Sequence, residues 1–471
     1  MHISPVTHRN CVRVLSDLVT LLFTNPNAAL DILTRHTSLA FKQEISSTLA
    51  DAFELAGIDL TTYDLGNGKY LVNLDYSKSC RSWFIGRDPL LTVWCRGTYV
   101  LYDSKKGNVE VRLAFEKFFN VNENEEWSID KLTELNMVES TRKADGTLLE
   151  VMYFDELGWV LATRKIPHFA TPQEVGQAKE DPNLGRVVKI EDTKKIRAPH
   201  VKRAVEIEPK LANSDKVFRG LENYVLMFEI VDPYTQFIDG ERVTFGSEYA
   251  PQFEKETAVY FLTARNMDSN YLLRYSEAHA LLADRGFKTI EFIDLGNRKF
   301  DEIVRDVKFG ELKKKVGEGI VVRFEGIEVP YRLVKVKTLL AFAHKKEHIV
   351  YYILQGTIDD VLPDLSPSMR KLAEELREII PELKYWLQRY VRWIQFNKYR
   401  PGMTFEELRK QMRGIRYMVG TGLDDIHRYL SGKISFDELI VSIIRKLSYN
   451  PQLVKEYVKR LEQFIKHHEG S

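Results

Sequence analysis

The strongest constraint in this chain is a change of hydrophobic period partway along it. From about Leu60 to Ile358, apolar residues come in short β-rich runs separated by Asp-Gly, Gly-Asn and Lys-Lys-Gly turns. Tyr70–Leu74, Leu91–Trp94, Tyr99–Tyr102, Tyr224–Ile230, Val259–Leu262, Ile320–Phe324 and Arg332–Lys337 are such runs. After Pro367 the period becomes helical. Leu372, Leu376, Ile379, Leu383, Leu387, Tyr390 and Ile394 fall three and four apart and make one apolar stripe. Thr404 with Glu407 and Ser435 with Glu438 have capping-box spacing. Asn450-Pro451 supplies an N-cap and first-turn proline for a last helix through Ile465. Ahead of the strands, residues 1–57 read as mostly helical, with Asn25-Pro26-Asn27 marking a helix start.

These shifts predict an α+β protein: an N-terminal helical extension (1–57), an antiparallel-sheet domain (58–362) and an all-α C-terminal domain (366–471). That division suits 471 residues at about one domain per 150. Residues 167–216 are polar, contain Pro172, Pro182, Pro199 and Pro209, and show little periodicity, so they read as an excursion from the core.

Composition narrows the class. With 44% hydrophobic and 29% charged residues the chain is neither disordered, collagenous nor a coiled coil. Leu18–Thr24 is too short to span a bilayer, and no small-residue cleavage site is visible there. Cys11, Cys80 and Cys95 are odd in number and widely spaced, which suits neither a disulfide framework nor a zinc site. The expectation is a soluble cytoplasmic monomer (host cytoplasm if viral) without a membrane partner. Charge is uneven: Arg370–Ser471 holds 20 Lys/Arg against 13 Asp/Glu, a net +7, which leaves −6 for the remainder. A basic unit of this kind fits a polyanionic partner, and fits equally a helical unit with solvated basic faces.

Four segments in the β-rich region carry chemistry together. Lys143-Ala144-Asp145-Gly146 puts a lysine before a turn and a strand; alone it is better read as a solvated lysine at a hairpin. Glu229 ends the apolar run from Tyr224, opposite in face to Phe228, or simply at a strand rim. Glu318-Gly319 opens an apolar strand at a glycine that permits close approach, or is a turn glycine with a solvated acid. Lys335 and Lys337 alternate onto one strand face, where they need anionic partners unless the strand is a solvated edge.

Jointly the four suit nucleotidyl transfer. A neutral lysine attacks phosphorus, and neighbouring cations lower an amine's pKa. Lys335 and Lys337 would balance the transferring charge, Glu229 would hold a sugar hydroxyl, and Glu318 would hold a divalent metal through water.

In that order the segments resemble motifs I, III, IV and V of the covalent nucleotidyltransferases, which include DNA ligases, RNA ligases and capping enzymes. Upstream, Cys95-Arg96-Gly97 and Glu116-Lys117-Phe118-Phe119-Asn120-Val121-Asn122-Glu123-Asn124 resemble the two N-terminal signatures of the RNA ligase 1 family, the tRNA-repair ligases of T-even bacteriophages. Gly356–Asp360 resembles that family's segment after motif V. The likeness spans roughly Trp94–Asp360.

The resemblance implies an adenylation domain and an ATP-dependent RNA ligase joining 5′-phosphate and 3′-hydroxyl ends of RNA, single-stranded or a broken tRNA loop, with Mg2+ or Mn2+. It implies that Lys143 is the adenylylated nucleophile, that Glu229 and Glu318 are the motif III and IV acids, and that Lys335 and Lys337 contact phosphate. It further implies cofactor contacts for Arg96, Lys117, Phe119, Gly146 and Arg164, and RNA contacts for Asp359 and Asp360. Lys384, Arg389, Arg392, Lys398 and Arg400, interleaved with Tyr385, Trp386, Tyr390, Trp393, Phe396 and Tyr399, suit phosphate contact and base stacking on unpaired RNA, though most of these aromatics read as helix core.

Two departures stand out: Thr235-Gln236 replaces the family's Asn-Arg after motif III, and Ala341 replaces a tyrosine after motif V. A DNA ligase or capping enzyme would carry a barrel after motif V, where this chain reads as helical. A non-catalytic RNA-binding protein would not need Lys143, Glu318, Lys335 and Lys337.

Overall fold

The structure, a computed structural model, describes residues 4–41, 48–77, 80, 82–85, 88–233, 235–238, 241–244, 256–326, 331–338, 346–354, 358, 362, 365, 367–413 and 422–469. By compactness it divides into two units, Met1–Val336 and Lys337–Ser471.

The first unit opens with helices Cys11–Thr24, Pro26–His36 and Leu49–Ala56. The helix start read at Pro26 is present, with the Asn25 side chain accepting from the Ala28 N–H at 3.2 Å. Leu15, Leu18, Val19, Leu22 and Leu33 pack on Val72, Leu74, Val100 and Tyr102 of a six-stranded sheet. Alternation sends Leu71, Tyr99 and Leu101 to the opposite face, where they meet Leu148, Met152, Val225 and Met227 of a second sheet. That second sheet runs in the order Gly158–Ala162, Thr147–Phe154, Tyr224–Val231, Ala258–Asn266, Tyr271–Leu272. A third sheet runs Phe119–Asn120, Arg332–Lys337, Gly319–Glu325, Asn136–Lys143, backed by helix Phe300–Phe309.

Three expectations need correction. The sheets are mixed and not purely antiparallel: Ile58–Asp64 runs parallel to Gly185–Lys189, Ala258–Asn266 to Lys288–Thr289, and Phe119–Asn120 to Arg332–Lys337. Parallel partners need long crossovers, and those are invisible in local alternation. Residues 167–216 are also not an excursion: Gly185–Lys189 joins the first sheet beside Ile58–Asp64, Val188 and Ile190 are buried between the sheets, and helix Pro199–Ile207 buries Val201 and Ala204 against the second sheet. Leu91–Trp94, read as a β run, is one helical turn with all four residues buried. Burial on every side removes the alternation that would separate the two states.

The second unit contains helices Lys346–Leu354, Pro367–Asn397, Phe405–Gln411, Leu423–Leu430, Phe436–Lys446 and Pro451–Glu469. The stripe read from the sequence is its core: Leu376, Ile379, Leu383, Leu387, Tyr390 and Ile394 pack with Val454, Leu461 and Phe464. Both capping boxes form, at Thr404/Glu407 and Ser435/Glu438. Among the described residues no helix is long and apolar enough to cross a membrane.

Candidate active site

Register places the candidate nucleophile. Lys143 ends the Asn136–Lys143 strand directly opposite Gly319 on its antiparallel neighbour, so Glu318 sits at the mouth of the pair. The Glu318 carboxylate, 5% exposed, receives the Lys143 ammonium in an ion pair, and Lys143 Nζ also donates to the Ala144 carbonyl at 3.3 Å. The chain then turns through Asp145-Gly146 into the Thr147–Phe154 strand, which pairs with Tyr224–Val231. Gly146 is required by that approach: a Cβ there would stand 2.2 Å from the Ile230 carbonyl oxygen. On the Tyr224–Val231 strand Glu229 shares a face with Met227, and Phe228 buries on the other.

The upstream signature supplies the facing cations. Phe119 and Asn120 run parallel to the Arg332–Lys337 strand, Asn120 opposite Lys335. Lys335 Nζ therefore lies 4.7 Å from the Phe118 ring centre, and the Arg96 guanidinium lies over the same ring at 4.9 Å and over Phe115 at 5.6 Å. Lys117 is enclosed by Tyr76, Trp83 and Phe119, at 5.5, 5.3 and 4.7 Å, and reaches Glu123 at 3.7 Å. Phe119 itself is buried in the core that backs the third sheet. Lys335 and Lys337 are half-buried while Val334 and Val336 are buried, the alternation the sequence predicts.

Electrostatics tie these groups together. Burial pushes the Glu229 carboxyl up to about 7, against the pull of Lys143 and Arg96 and with the push of Glu318 and Asp145. Burial holds the Lys335 amine well below the usual lysine range, helped by Arg96, Lys117 and Lys143. Nε and Nη1 of Arg96 are buried with no hydrogen-bond partner among the described residues.

The resemblance implied a cofactor contact for Arg164, and the structure shows the protein partners of this residue. Its guanidinium grips the buried Asp75 carboxylate at 2.7 and 2.8 Å and lies 4.4 Å over the Tyr76 ring, so its strongest partner is a protein anion. Sequence reasoning missed Asp75 and Glu150, both 0% exposed. Glu150 lies beneath the Gly97 turn, where a Gly97 Cβ would be 2.4 Å from Oε1, and burial raises its carboxyl well above the ordinary value. A lone carboxylate inside the apolar run Leu148–Met152 was the available signal.

Lys384, Arg389, Arg392, Lys398 and Arg400 fall in the second unit. Lys384 pairs with Asp437 at 4.0 Å, Arg389 covers Tyr385 and Trp386 at 5.4 and 5.7 Å, and Lys398 lies 5.9 Å from Trp393, while Arg392 and Arg400 are exposed. Asp359, Asp360 and Ala341 lie outside the described residues.

No group of three or more His, Cys, Asp or Glu among the described residues makes a closed metal site. Magnesium asks for less, since it keeps several waters and takes one or two carboxylates plus phosphate oxygens. Glu318, with Glu229 in electrostatic range, fits that donor set.

A family model described as RNA ligase, of the T4 RNA ligase 1 type, matches residues 94–345, more than half of the chain. Solved structures similar to it include an archaeal ATP-dependent RNA ligase, form 1, at 13% identity and TM-score 0.41 over 86% of this chain and 99% of that one. Others are a putative ATP-dependent DNA ligase from Aquifex aeolicus (12%, TM-score 0.36, 79% and 78%) and a Naegleria gruberi RNA ligase with AMP and Mn (16%, TM-score 0.29, 46% and 54%). No curated protein matches the chain. The family match over residues 94–345 makes the chain a member of the T4 RNA ligase 1 family, ATP-dependent RNA ligases that work as covalent nucleotidyltransferases.

Proposed function

We propose that the chain seals RNA 5′-phosphate to 3′-hydroxyl ends with Lys143 as its nucleophile. The observation that carries this reading is the convergence of Lys143, Glu318, Glu229, Lys335 and Arg96 from five separate stretches of chain. Lys143 attacks the α-phosphate of ATP, a nitrogen–phosphorus bond forms, and pyrophosphate leaves in line. Glu318, in contact with the amine, aims it and is placed to receive the proton it sheds. Lys335 and Arg96 face the charge that develops on phosphorus and its oxygens; Arg96 holds two buried donors in reserve for it. Glu229 accepts from a ribose hydroxyl. Glu318 would also hold magnesium, which when bound would neutralise charge on the phosphates. AMP then passes from Lys143 to the RNA 5′-phosphate, and the RNA 3′-hydroxyl displaces it.

The reading divides the chain into an extension at 1–57, an adenylation domain at 58–362 and a helical RNA-specificity domain at 366–471. In the last, Tyr385, Arg389, Arg392 and Phe396 recur at helical spacing, with Tyr385 51% and Phe396 83% exposed. Two arginines flanked by exposed aromatics suit unpaired bases, as in a tRNA loop.

The test mixes the protein with magnesium, ATP and a 5′-phosphorylated single-stranded RNA, with Lys143→Ala alongside, and looks for circles on a denaturing gel. Circles from wild type only support the reading. A labelled protein that makes no circles on any RNA removes the acceptor, and a folded protein that takes no AMP removes the mechanism.

A further inference from the structure

The family match begins at residue 94 and leaves the N-terminal extension without a role. One segment of that extension is seated at a junction inside the first unit. The His8 ring stands edge-on between Trp94, 4.7 Å between centres, and Tyr331, 4.9 Å. Trp94 Nε1 donates to the Val6 carbonyl at 2.6 Å, and Asn270 Nδ2 donates to the His8 carbonyl at 2.9 Å. Beneath them lies Arg265, 0% exposed, whose Nε donates to the Ala114 carbonyl at 2.8 Å, whose Nη1 donates to the Asn270 carbonyl at 2.9 Å, and whose Nη2 pairs with Glu116. Tyr331 donates to the same Glu116 carboxylate at 3.1 Å.

Each wall of this junction runs directly into the pocket. Trp94 is two residues before Arg96, Glu116 is one before Lys117, and Tyr331 is four before Lys335 on the strand it leads into. Ala114 and Glu116 bracket Phe115, one of the two rings beneath Arg96. The three pocket cations thus come from three segments that the junction joins in addition to the Lys117 N–H bond to the Val93 carbonyl at 2.7 Å, the Trp127 Nε1 bond to the Leu333 carbonyl at 2.8 Å and the pairing at Phe119–Asn120. Cations held at a fixed spacing bind a triphosphate better than cations that must be gathered by it.

Resting on the ligase reading, we propose that His8 is a positioning residue: the Val6–Cys11 segment locks the segments carrying Arg96, Lys117 and Lys335 into the spacing that ATP requires. The ring acts by shape and not by charge. Burial lowers its pKa to about 4, against the pull of Glu116 and with the push of Arg265 and Arg323, so it is neutral where the enzyme works.

The experiment measures covalent AMP labelling of full-length protein with radiolabelled ATP, as rate against ATP concentration. His8→Ala should raise KM for ATP about tenfold with the saturating rate within about twofold of wild type. His8→Phe, which keeps the ring, should restore KM. Trp94→Phe, which loses the bond to Val6 and part of the ring that faces His8, should raise KM severalfold and keeps the test open if His8→Ala does not fold.

Unchanged KM in folded His8→Ala overturns the proposal. So does a lower labelled fraction with unchanged KM, which is what loss of folded protein alone would produce. Failure of His8→Phe to restore KM overturns the shape argument and the proposal with it. Wild type that takes no label sinks the ligase reading itself, an outcome separate from all of these.

Discussion

Gly146 approaches the Ile230 carbonyl so closely that a side-chain carbon would lie 2.2 Å from its oxygen, and 3.1 Å from Glu229 Cγ. The turn after Lys143 is therefore pressed onto the strand that carries Glu229, which fixes the lysine and the acid relative to each other. Gly146→Ala should push these strands apart. The expected cost is about 1–3 kcal/mol of unfolding free energy and about a hundredfold in AMP labelling. Thermal unfolding together with labelling rates checks it; wild-type labelling would mean the contact does not position Lys143.

Glu229 predicts a pH dependence. Burial raises its carboxyl from 4.5 to about 7, so it is neutral below that pH and ionised above it. Between these values the folded protein keeps a proton that the unfolded chain releases, so this group's stabilisation is complete below 4.5 and is lost as pH rises through 7. Binding of a ribose hydroxyl runs the other way, because the carboxylate is the better acceptor. AMP labelling should rise through about pH 7, and Glu229→Gln should remove that inflection. An inflection that survives the substitution belongs to another group.

Lys335 is half-buried, with Phe118 on one side and Arg96 and Lys117 in electrostatic range. Lys335→Met should lower AMP labelling about 10²–10³-fold, the usual cost of removing one group aimed at developing charge. Lys335→Arg should not restore it, since a planar fork cannot occupy the space of a compact ammonium. Recovery with arginine would show that any cation there suffices.

The Arg164–Asp75 pair makes a stability prediction. Asp75 is fully buried, and burial already pushes its carboxyl up against the pull of Arg164. Arg164→Ala should cost about 3 kcal/mol by leaving that charge short of its main partner, with Lys165 still 3.6 Å away. Adding Asp75→Asn should recover part of the loss in a urea titration. Additive losses would show that the two residues act independently.

On the second unit, Tyr385→Ala and Phe396→Ala together should weaken binding of an unstructured RNA by about tenfold or more, from lost stacking of about 1–3 kcal/mol per base, and leave AMP labelling unchanged. A filter-binding titration at fixed salt reads this directly. Equal binding by the variant would place the RNA elsewhere.

What was legible in the sequence by itself was whatever depends on neighbours in the chain. The Leu376–Ile394 stripe, the Thr404 and Ser435 caps, the Pro26 start and the alternation of Lys335 with Val336 all follow from local periods of 3.6 or 2, and each is present. The signature around Lys117 and Phe119 and the order of the acids and lysines were legible for the same reason, as short fixed strings. Tertiary structure decided what depends on partners far apart in the chain. Ile58–Asp64 finds Gly185–Lys189 more than 100 residues away, Leu91–Trp94 coils with every side buried and so without an alternation to read, and Arg164 is held by Asp75. His8 meets Trp94 and Tyr331 only once the sheets have closed around Arg265. A pairing across such separations leaves no periodic trace in either strand, because each side chain is chosen for a neighbour that only the folded chain brings near.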